Sequence, residues 1–268
     1  GRGRCYAFDA GDERLNQMRE TANWVSRVED SLREQALVLF GQKALALKEN
    51  AARDLDYIEV LLRMRTPAGL VSPAEFIVAA ERYGQIASID RFVLEEVTRT
   101  LRSLGEGFGA RLAFNVSARN IVDPGFFEEI ITSLSRQPVP LPQICIELTE
   151  TAAIREIEAA GASMRRLAST GLKLVLDDFG SGWSSYQYLR RLPFDMVKVD
   201  GAFIRDIARA EQDRALARSI NEIAHVLGKR TVAEHVEDEV TLEQVRAIGF
   251  DHAQGYLIDR PRPLVELL

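Results

Sequence analysis

Carboxylate, amide and ammonium side chains lie at or near the ends of several short apolar runs in this sequence. These residues are Glu59, Asn115, Glu147, Asp177, Asp178, Lys198, Asp200 and Glu234. A single polar residue at such a place can start a turn or cap a helix. Six separate runs that carry one predict a convergent site instead, because the carboxyl ends of barrel strands and the loops after them build the active site.

Acidic residues gathered in this way need positive charge between them. Two carboxylates about 4 Å apart repel each other by about 4 kcal/mol at an effective dielectric constant of about 20. Oxygen ligands with one amide, and without histidine or thiolate, favour hard divalent ions such as Mg²⁺ or Mn²⁺. The neighbours Asp177 and Asp178 could flank two ions, an arrangement suited to in-line attack at phosphorus. Successive strand residues point to opposite faces, so we expect a turn there, supplied by FGSG at residues 179–182.

Two basic side chains extend the candidate chemistry. Lys198 precedes Asp200 by two positions and shares a strand face with it, so the lysine could orient or deprotonate an attacking water. An ion pair between Lys198 and Asp200 inside a barrel is the alternative, and burial would make it costly without further partners. Arg63 follows Glu59 by four positions, which places both on one strand face, and its guanidinium suits a phosphate. A surface position is the alternative for Arg63.

The elements that would position these residues alternate along the chain. Apolar runs typical of strands occupy residues 36–40, 57–64, 112–116, 144–148, 172–176, 196–199 and 231–233. Helical patterns occupy residues 74–83, 91–104, 126–134, 152–169, 213–227 and 242–248. This alternation predicts an α/β fold with a parallel sheet, open or closed into a barrel. A further amphipathic helix is predicted within residues 12–33, either for signalling from an upstream domain or for packing under the barrel.

The composition limits the classes of partner. The formal net charge of −6 argues against a broad basic face for long nucleic acid. No apolar run approaches the roughly 18 residues that cross a bilayer, and the initial GRGR lacks the apolar stretch of a signal peptide. Two cysteines far apart, Cys5 and Cys145, provide no disulfide framework. We therefore expect a cytoplasmic domain without membrane contact of its own, which could be the cytoplasmic part of a membrane-anchored protein.

The motifs of the sequence closely resemble those of the EAL domain family. The similarity runs from about residue 36 to residue 263, in the order of the family. It is carried by EVLLR at 59–63, LVSPAEFI at 70–77, FNVSARN at 114–120, IELTE at 146–150, DDFGSG at 177–182, LPFDMVKVDG at 192–201, AEHVE at 233–237 and QGYL at 254–257. The resemblance implies a modified TIM barrel that hydrolyses cyclic di-GMP to linear pGpG with Mg²⁺ or Mn²⁺, two ions being expected.

The resemblance also implies roles for individual residues. The implied metal ligands are Glu59, Asn115, Glu147, Asp177, Asp178 and Glu234. Lys198 would assist the attacking water and Glu150 would steady the DDFG loop; the implied catalytic set is Lys198, Glu59, Asp177, Asp178 and Glu150. Substrate contacts and further polar positions near the site would come from Gln42, Leu62, Arg63, Asp200, Glu237 and Gln254.

The resemblance further implies a modular parent protein. Residues 1–10 are similar to the tail of a GGDEF domain, residues 11–34 would form a linker helix, and residues 35–268 the phosphodiesterase barrel. We expect a homodimer with an upstream GGDEF-type domain in the longer protein. A helix that regulates a neighbouring cyclase through dimerisation is a further possibility, compatible with catalysis.

Three positions depart from the family pattern. Val60 replaces the alanine of the signature, His235 replaces a glycine, and Trp183 replaces a smaller aromatic residue. Val60 should face away from Glu59 and affect packing alone. His235 would alter the path of its loop if the glycine had a positive φ. None of the departures removes a ligand. A receptor that binds cyclic di-GMP without cutting it stays the alternative function.

Overall fold

The computed structural model describes residues 13–47, 56–105, 107–150, 157–180 and 186–268. The chain divides into two compact units. The smaller comprises Gly1–Val38 with Leu62–Ile89, and the larger comprises Leu39–Leu61 with Asp90–Leu268. Strand β2 (Asp56–Thr66) contributes residues to both units.

The larger unit is a closed barrel of eight strands. They follow one another in the order β1, β9, β8, β7, β6, β5, β4 and β2, and β1 also pairs with β2. Neighbouring strands from β2 to β9 are parallel, whereas β1 runs antiparallel to β9. The other barrel strands are β1 Leu37–Ala46, β4 Ala110–Asn115, β5 Ile144–Thr149, β6 Lys173–Phe179, β7 Met196–Val199, β8 Arg230–Ala233 and β9 His252–Gln254. The short strand β10 (Arg262–Pro263) pairs with β1 in addition.

Helices connect the parallel strands. They are α3 Ile86–Leu104, which begins in the smaller unit, α4 Ala118–Ile121, α5 Pro124–Leu134, α6 Ile157–Ser169, α7 Tyr186–Arg191, α8 Gly201–Ile204, α9 Glu211–Val226 and α10 Glu239–Ile248, with 3-10 turns at Leu141–Gln143 and Leu264–Glu266. Local signals set several ends: the Asp123 side chain caps α5 by accepting from the Phe126 amide, and Gly249 ends α10 with a left-handed φ of 92°.

A buried layer of small and apolar side chains fills the middle of the barrel. It consists of Ala44, Tyr57, Ala113, Cys145, Val175, Met196 and Val232. Side chains alternate across a strand, so residues two positions away from a member of this layer also face the interior. The layer therefore fixes which residues face inward at each end of the barrel.

The smaller unit contains helix α1 (Glu13–Arg33), helix α2 (Pro73–Arg82) and the end of β2 paired antiparallel with β3 (Gly69–Val71). The rings of Trp24 and Phe76 lie 6.2 Å apart, and Gln85 donates to the Val25 carbonyl at 3.0 Å. These contacts join α1 to α2 and to the turn after it.

The predicted α/β barrel with an N-terminal helix is confirmed. Each apolar run assigned to a strand lies wholly or mostly in an observed strand, and each helical pattern overlaps an observed helix, although residues 152–156 of the pattern at 152–169 lie outside the described ranges. The sequence reading missed β3, β9 and β10, of three, three and two residues, and the short helices α4, α7 and α8. Such short elements carry no measurable periodicity.

Candidate metal centre

The candidate ligands form an acidic layer inside the barrel, directly above the apolar layer. All of them except Asp178, and Lys198 as well, lie two residues beyond a member of that layer along a parallel strand, and so face inward. This relation holds for Glu59 after Tyr57, Asn115 after Ala113, Glu147 after Cys145, Asp177 after Val175, Lys198 after Met196 and Glu234 after Val232. The fold therefore gathers side chains from six strands at the carboxyl end of the parallel strands, as the sequence predicts.

Lys198 lies at the centre of this layer. Its Nζ is 2.8 Å from Asp177 Oδ1, 2.9 Å from Glu234 Oε1, 3.0 Å from Glu59 Oε2 and 3.5 Å from Glu147 Oε2. The side chain is 1% exposed. Burial by itself lowers the pKa of Lys198, but the surrounding carboxylates outweigh it and raise the pKa well above its ordinary value. The lysine is therefore a buried ammonium that is held by carboxylates of four other strands.

One lysine does not neutralise this cluster. Burial is the main cause that raises the pKa of Glu147 to about 8 and that of Glu234 to about 8, with Asp177 adding to both and Lys198 opposing both. Burial followed by Asp177 raises the pKa of Asp178 to about 6. Without further cations, Glu147 and Glu234 retain protons near neutral pH, whereas Asp178 retains its proton only at mildly acidic pH.

Two groups of carboxylates have the spacing of a metal site. One oxygen each of Glu59, Glu147 and Asp177 lie within 4.8 Å of one another, and so do those of Asp177, Asp178 and Glu234. Asp177 belongs to both groups, as a ligand shared by two ions would. Glu147 is fully buried, yet its Oε1 has no hydrogen-bond partner within the described ranges. A buried oxygen of this kind needs a cation or donor, so the residues present fit hard divalent ions.

The chain turns at Asp178, which is how two consecutive residues can both belong to the cluster. Asp178 has a φ of +55°, and the register between β6 and β7 shifts between Leu176 and Phe179. The irregularity is therefore a bulge within β6, earlier than the turn expected at residues 179–182. Residues 181 and 182 lie outside the described ranges.

Glu150 holds the end of this bulged strand. Its Oε2 accepts a hydrogen bond from the Gly180 amide at 3.0 Å, and the side chain is buried. Gly180 has a φ of +104°, and a Cβ there would lie 2.2 Å from the ring of Phe203. The contact supports the predicted positioning of the DDFG loop by Glu150.

Amide side chains also contact the acidic layer. Gln254 Nε2 donates to Glu59 Oε2 at 2.7 Å and lies 3.3 Å from Gln42 Oε1. Gln42 in turn donates to the Asp259 carbonyl at 2.9 Å, a backbone contact for which the sequence contains no signal. Asn115 Nδ2 donates to Glu147 Oε2 at 3.3 Å. Glu59 and Glu147 are thus oriented by amide donors.

The other predicted contact residues occupy varied positions. Asp200 follows β7, where its Oδ1 accepts from the Ala202 amide and caps α8; the ion pairs of Lys198 within the described ranges involve other carboxylates. Glu237 is exposed. Leu62 and Arg63 lie in β2, in the part that belongs to the smaller unit, and the Arg63 guanidinium donates to the Leu62 carbonyl at 2.7 Å. Their contact with substrate stays a prediction.

The departures from the family pattern leave the cluster intact. Val60 is a buried core residue. His235 has a φ of +55°, so the histidine adopts the left-handed conformation that the expected glycine would favour. Its ring packs on Gly201, where a Cβ would lie 2.2 Å away, and is 3.2 Å from the Arg205 guanidinium, a partner that the sequence reading missed. Burial and then Arg205 lower the pKa of His235. Trp183 lies outside the described ranges.

Comparison with known proteins identifies relatives of this barrel. The model of the EAL domain matches residues 47–261. Cyclic di-GMP phosphodiesterase PdeB of Shewanella oneidensis is 35% identical over 266 residues, which cover 98% of this chain and 31% of that protein. The bifunctional diguanylate cyclase/cyclic di-GMP phosphodiesterase MucR of Pseudomonas aeruginosa is 34% identical over 214 residues, which cover 79% of this chain and 31% of that protein.

A solved structure agrees with the sequence comparisons. The PaMucR phosphodiesterase in complex with c-di-GMP superposes with a TM-score of 0.84 at 31% identity, over 92% of this chain and 100% of that one. The chain spans about a third of the length of the curated relatives named above. Because the family model covers most of the sequence and the barrel superposes on a solved member, the chain belongs to the EAL domain family.

Proposed function

We propose that this chain is a metal-dependent phosphodiesterase that hydrolyses cyclic di-GMP to linear pGpG. The observation that carries the proposal is the acidic layer around Lys198, in which two groups of carboxylates share Asp177 and a buried oxygen of Glu147 has no donor among the described residues. The names of the relatives PdeB and MucR support the substrate and the reaction.

Mg²⁺ or Mn²⁺ would be held by the six predicted ligands. Glu59, Glu147 and Asp177 would form one group and Asp177, Asp178 and Glu234 the other, with Asn115 adjoining Glu147. The ions would supply Lewis acidity toward the phosphate and lower the pKa of water. Two ions fit the two groups that share Asp177.

Lys198 and Glu150 act on the reaction through position and charge. As an ammonium, Lys198 can donate a hydrogen bond to the attacking water and orient it toward phosphorus, while the carboxylates keep it in place. Water then displaces the 3′ oxygen of one phosphodiester bond in line. Glu150 fixes Gly180 at the end of β6 and so holds the backbone that presents Asp177 and Asp178.

The substrate would be bound by the six predicted contact residues. Arg63 offers a planar guanidinium for the phosphate. The remaining contacts are assigned to Gln42, Leu62, Asp200, Glu237 and Gln254. Gln254 donates to both Glu59 and Gln42, so substrate contact at either glutamine would also affect the ligand Glu59.

The proposed domain organisation of the longer protein is based on the resemblance and on the relatives. We propose that residues 1–10 end a GGDEF-type domain, that residues 11–34 form a linker helix, and that residues 35–268 act as the phosphodiesterase in a cytoplasmic homodimer. The name of MucR includes a diguanylate cyclase, which supports an upstream cyclase domain. Within the described ranges, no helix has the length and apolar character needed to cross a membrane.

The experiment is a turnover assay with a matched control. The purified chain is incubated with cyclic di-GMP and Mg²⁺ or Mn²⁺, and the nucleotides are separated by chromatography. We expect pGpG from the wild type and from Glu243→Gln, an exposed carboxylate of α10, and none from Glu147→Gln. Persistence of cyclic di-GMP with the wild type contradicts the proposal. Binding of cyclic di-GMP without turnover would then support the receptor alternative.

A further inference from the structure

Among the six candidate metal ligands, Asn115 is the exposed one. The other five are buried or half-buried. Close packing restricts the side chains of those five, whereas Asn115 depends on its hydrogen bonds and its backbone for its orientation. Its Nδ2 donates to Glu147 Oε2 at 3.3 Å, which leaves Oδ1 as the atom of this side chain that could bind an ion.

The backbone directly after Asn115 is held by two different neighbours. The amide of Val116 donates to the Glu147 carbonyl at 3.1 Å, which continues the pairing of β4 with β5. The amide of Ser117 instead donates to a side chain, the Oδ2 of Asp90 in helix α3, at 2.9 Å. Two residues span at most about 7 Å, so a fixed Ser117 limits where Asn115 can lie.

Asp90 is a buried carboxylate that lies in a helix rather than in a barrel strand. It is 6% exposed, and the oxygen that accepts from Ser117 also accepts from Asn120 Nδ2 at 2.7 Å, a contact that is itself buried. The Asn120 amide donates in turn to the Ser117 carbonyl at 3.0 Å, so both donors to Asp90 belong to one closed turn. Burial of a carboxylate is costly unless donors satisfy it, so Asp90 and this turn hold each other in place.

We propose that Asp90 is a positioning residue of the metal centre, because it fixes the turn after β4 through Ser117 and Asn120 and thereby orients Asn115. This role rests on the proposed function, in which Asn115 is a ligand of the metal ions. Asp90 needs no contact with an ion or with the substrate to fulfil it. Loss of the carboxylate removes the acceptor of two hydrogen bonds and allows the turn, and with it the exposed side chain of Asn115, to move.

The side-chain amide signal of Asn115 tests this role in metal-free protein. NMR spectra are recorded in EDTA, and the signal is assigned as the one that Asn115→Asp removes. We expect Asp90→Ala to shift this signal. Asp90→Asn should leave it close to its wild-type position, because an amide oxygen can accept the same two hydrogen bonds. An unmoved signal in Asp90→Ala, or equal shifts in both variants, would overturn the proposal.

Manganese binding measures the consequence of this positioning for the metal centre. In calorimetry, Asp90→Ala should bind Mn²⁺ about tenfold more weakly than the wild type, the lower end of what residues that orient metal ligands contribute. Asp195→Ala is the control, because Asp195 Oδ2 also accepts from a backbone amide, that of Leu174 at 3.0 Å, but at the amino end of β6. The control should lose stability in urea and keep its affinity for Mn²⁺. Equal losses of affinity in the two variants would indicate general destabilisation and overturn the proposal.

A further variant keeps the test decisive if Asp90→Ala does not fold. Asn120→Ala retains the carboxylate and removes one of its two hydrogen bonds, so it should also shift the Asn115 signal, and an unmoved signal would then refute the positioning. The NMR measurement needs neither metal nor cyclic di-GMP, so the two proposals can fail separately. Turnover by the wild type with an unmoved Asn115 signal in the variants refutes the positioning alone. A shifted signal without turnover by the wild type refutes the hydrolysis alone.

Discussion

Replacement of Lys198 by methionine removes the ammonium at the centre of the acidic layer. Methionine has a similar length and keeps the apolar contacts of the side chain, so the change isolates the charge. Four carboxylates would then lie together in the barrel without their shared cation. We expect loss of activity and, in metal-free protein, loss of stability.

The size of the stability loss follows from burial. A charge pair at about 4 Å has a gross attraction of about 4 kcal/mol at an effective dielectric constant of about 20, and desolvation offsets much of it. Removal of one partner of a buried pair costs about 3–5 kcal/mol. Because 1 kcal/mol shifts the Tm of a chain near this size by about 2–4 °C, Lys198→Met should lower the Tm by about 6–20 °C.

The assay is thermal unfolding at pH 8 in EDTA, repeated with Mn²⁺. Divalent ions should replace the missing charge, so Mn²⁺ should raise the Tm of Lys198→Met more than that of the wild type, without restoring turnover. Lys43→Met is the control, because Lys43 is 43% exposed and its pair with Asp56 at 3.1 Å contributes about 0–1 kcal/mol. The reasoning is refuted if Lys198→Met is as stable as the wild type in EDTA, or if Mn²⁺ raises both Tm values equally.

Three further predictions concern the same barrel. Glu147 and Glu234 have a pKa of about 8 in the folded chain against an ordinary value of 4.5, so the folded state binds more protons than the unfolded state between these values. Urea denaturation in EDTA should therefore show a free energy of unfolding that falls from about pH 5 to about pH 8. In a separate series with Mn²⁺ and no EDTA, the ion should stabilise the chain more at pH 8 than at pH 5. A free energy of unfolding that rises over that range in EDTA would contradict the raised pKa values of Glu147 and Glu234. His235 has a φ of +55°, so in urea denaturation the variant His235→Val should have a free energy of unfolding lower than that of His235→Asn by about 1 kcal/mol or more. Equal free energies of unfolding would argue against the left-handed conformation. At Gly255, whose φ is +159°, a Cβ would lie 2.1 Å from the Val236 carbonyl oxygen, so Gly255→Ala should lose more than about 2 kcal/mol; a Tm unchanged from the wild type would refute this packing.

The strand assignments that the sequence predicted well share one property. Runs such as those at residues 144–148 and 172–176 are largely buried on both faces, so they are mostly apolar, and a polar ligand lies at or near the carboxyl end of each. Strand β9 (His252–Gln254) escaped prediction because it has three residues and two of them are polar. It was nevertheless marked by the resemblance at Gln254, whose amide reaches Glu59.

The geometry within the site was only partly predictable. The residue types indicated a cluster, but the central position of Lys198 among four carboxylates depends on which strands adjoin across the barrel. The sequence predicted a turn at residues 179–182, whereas the chain already turns at the bulge at Asp178, because glycine signals a turn more clearly than an aspartate with positive φ. Asp200 caps a helix and does not form the ion pair with Lys198 that was the alternative to a catalytic lysine.

Diffraction from crystals soaked with Mn²⁺ tests the metal centre most directly, through the anomalous signal of manganese. We expect one peak among Glu59, Glu147 and Asp177 and a second among Asp177, Asp178 and Glu234. Manganese bound elsewhere, with no peak at either group, would contradict the claim that this acidic layer is the metal centre of a phosphodiesterase.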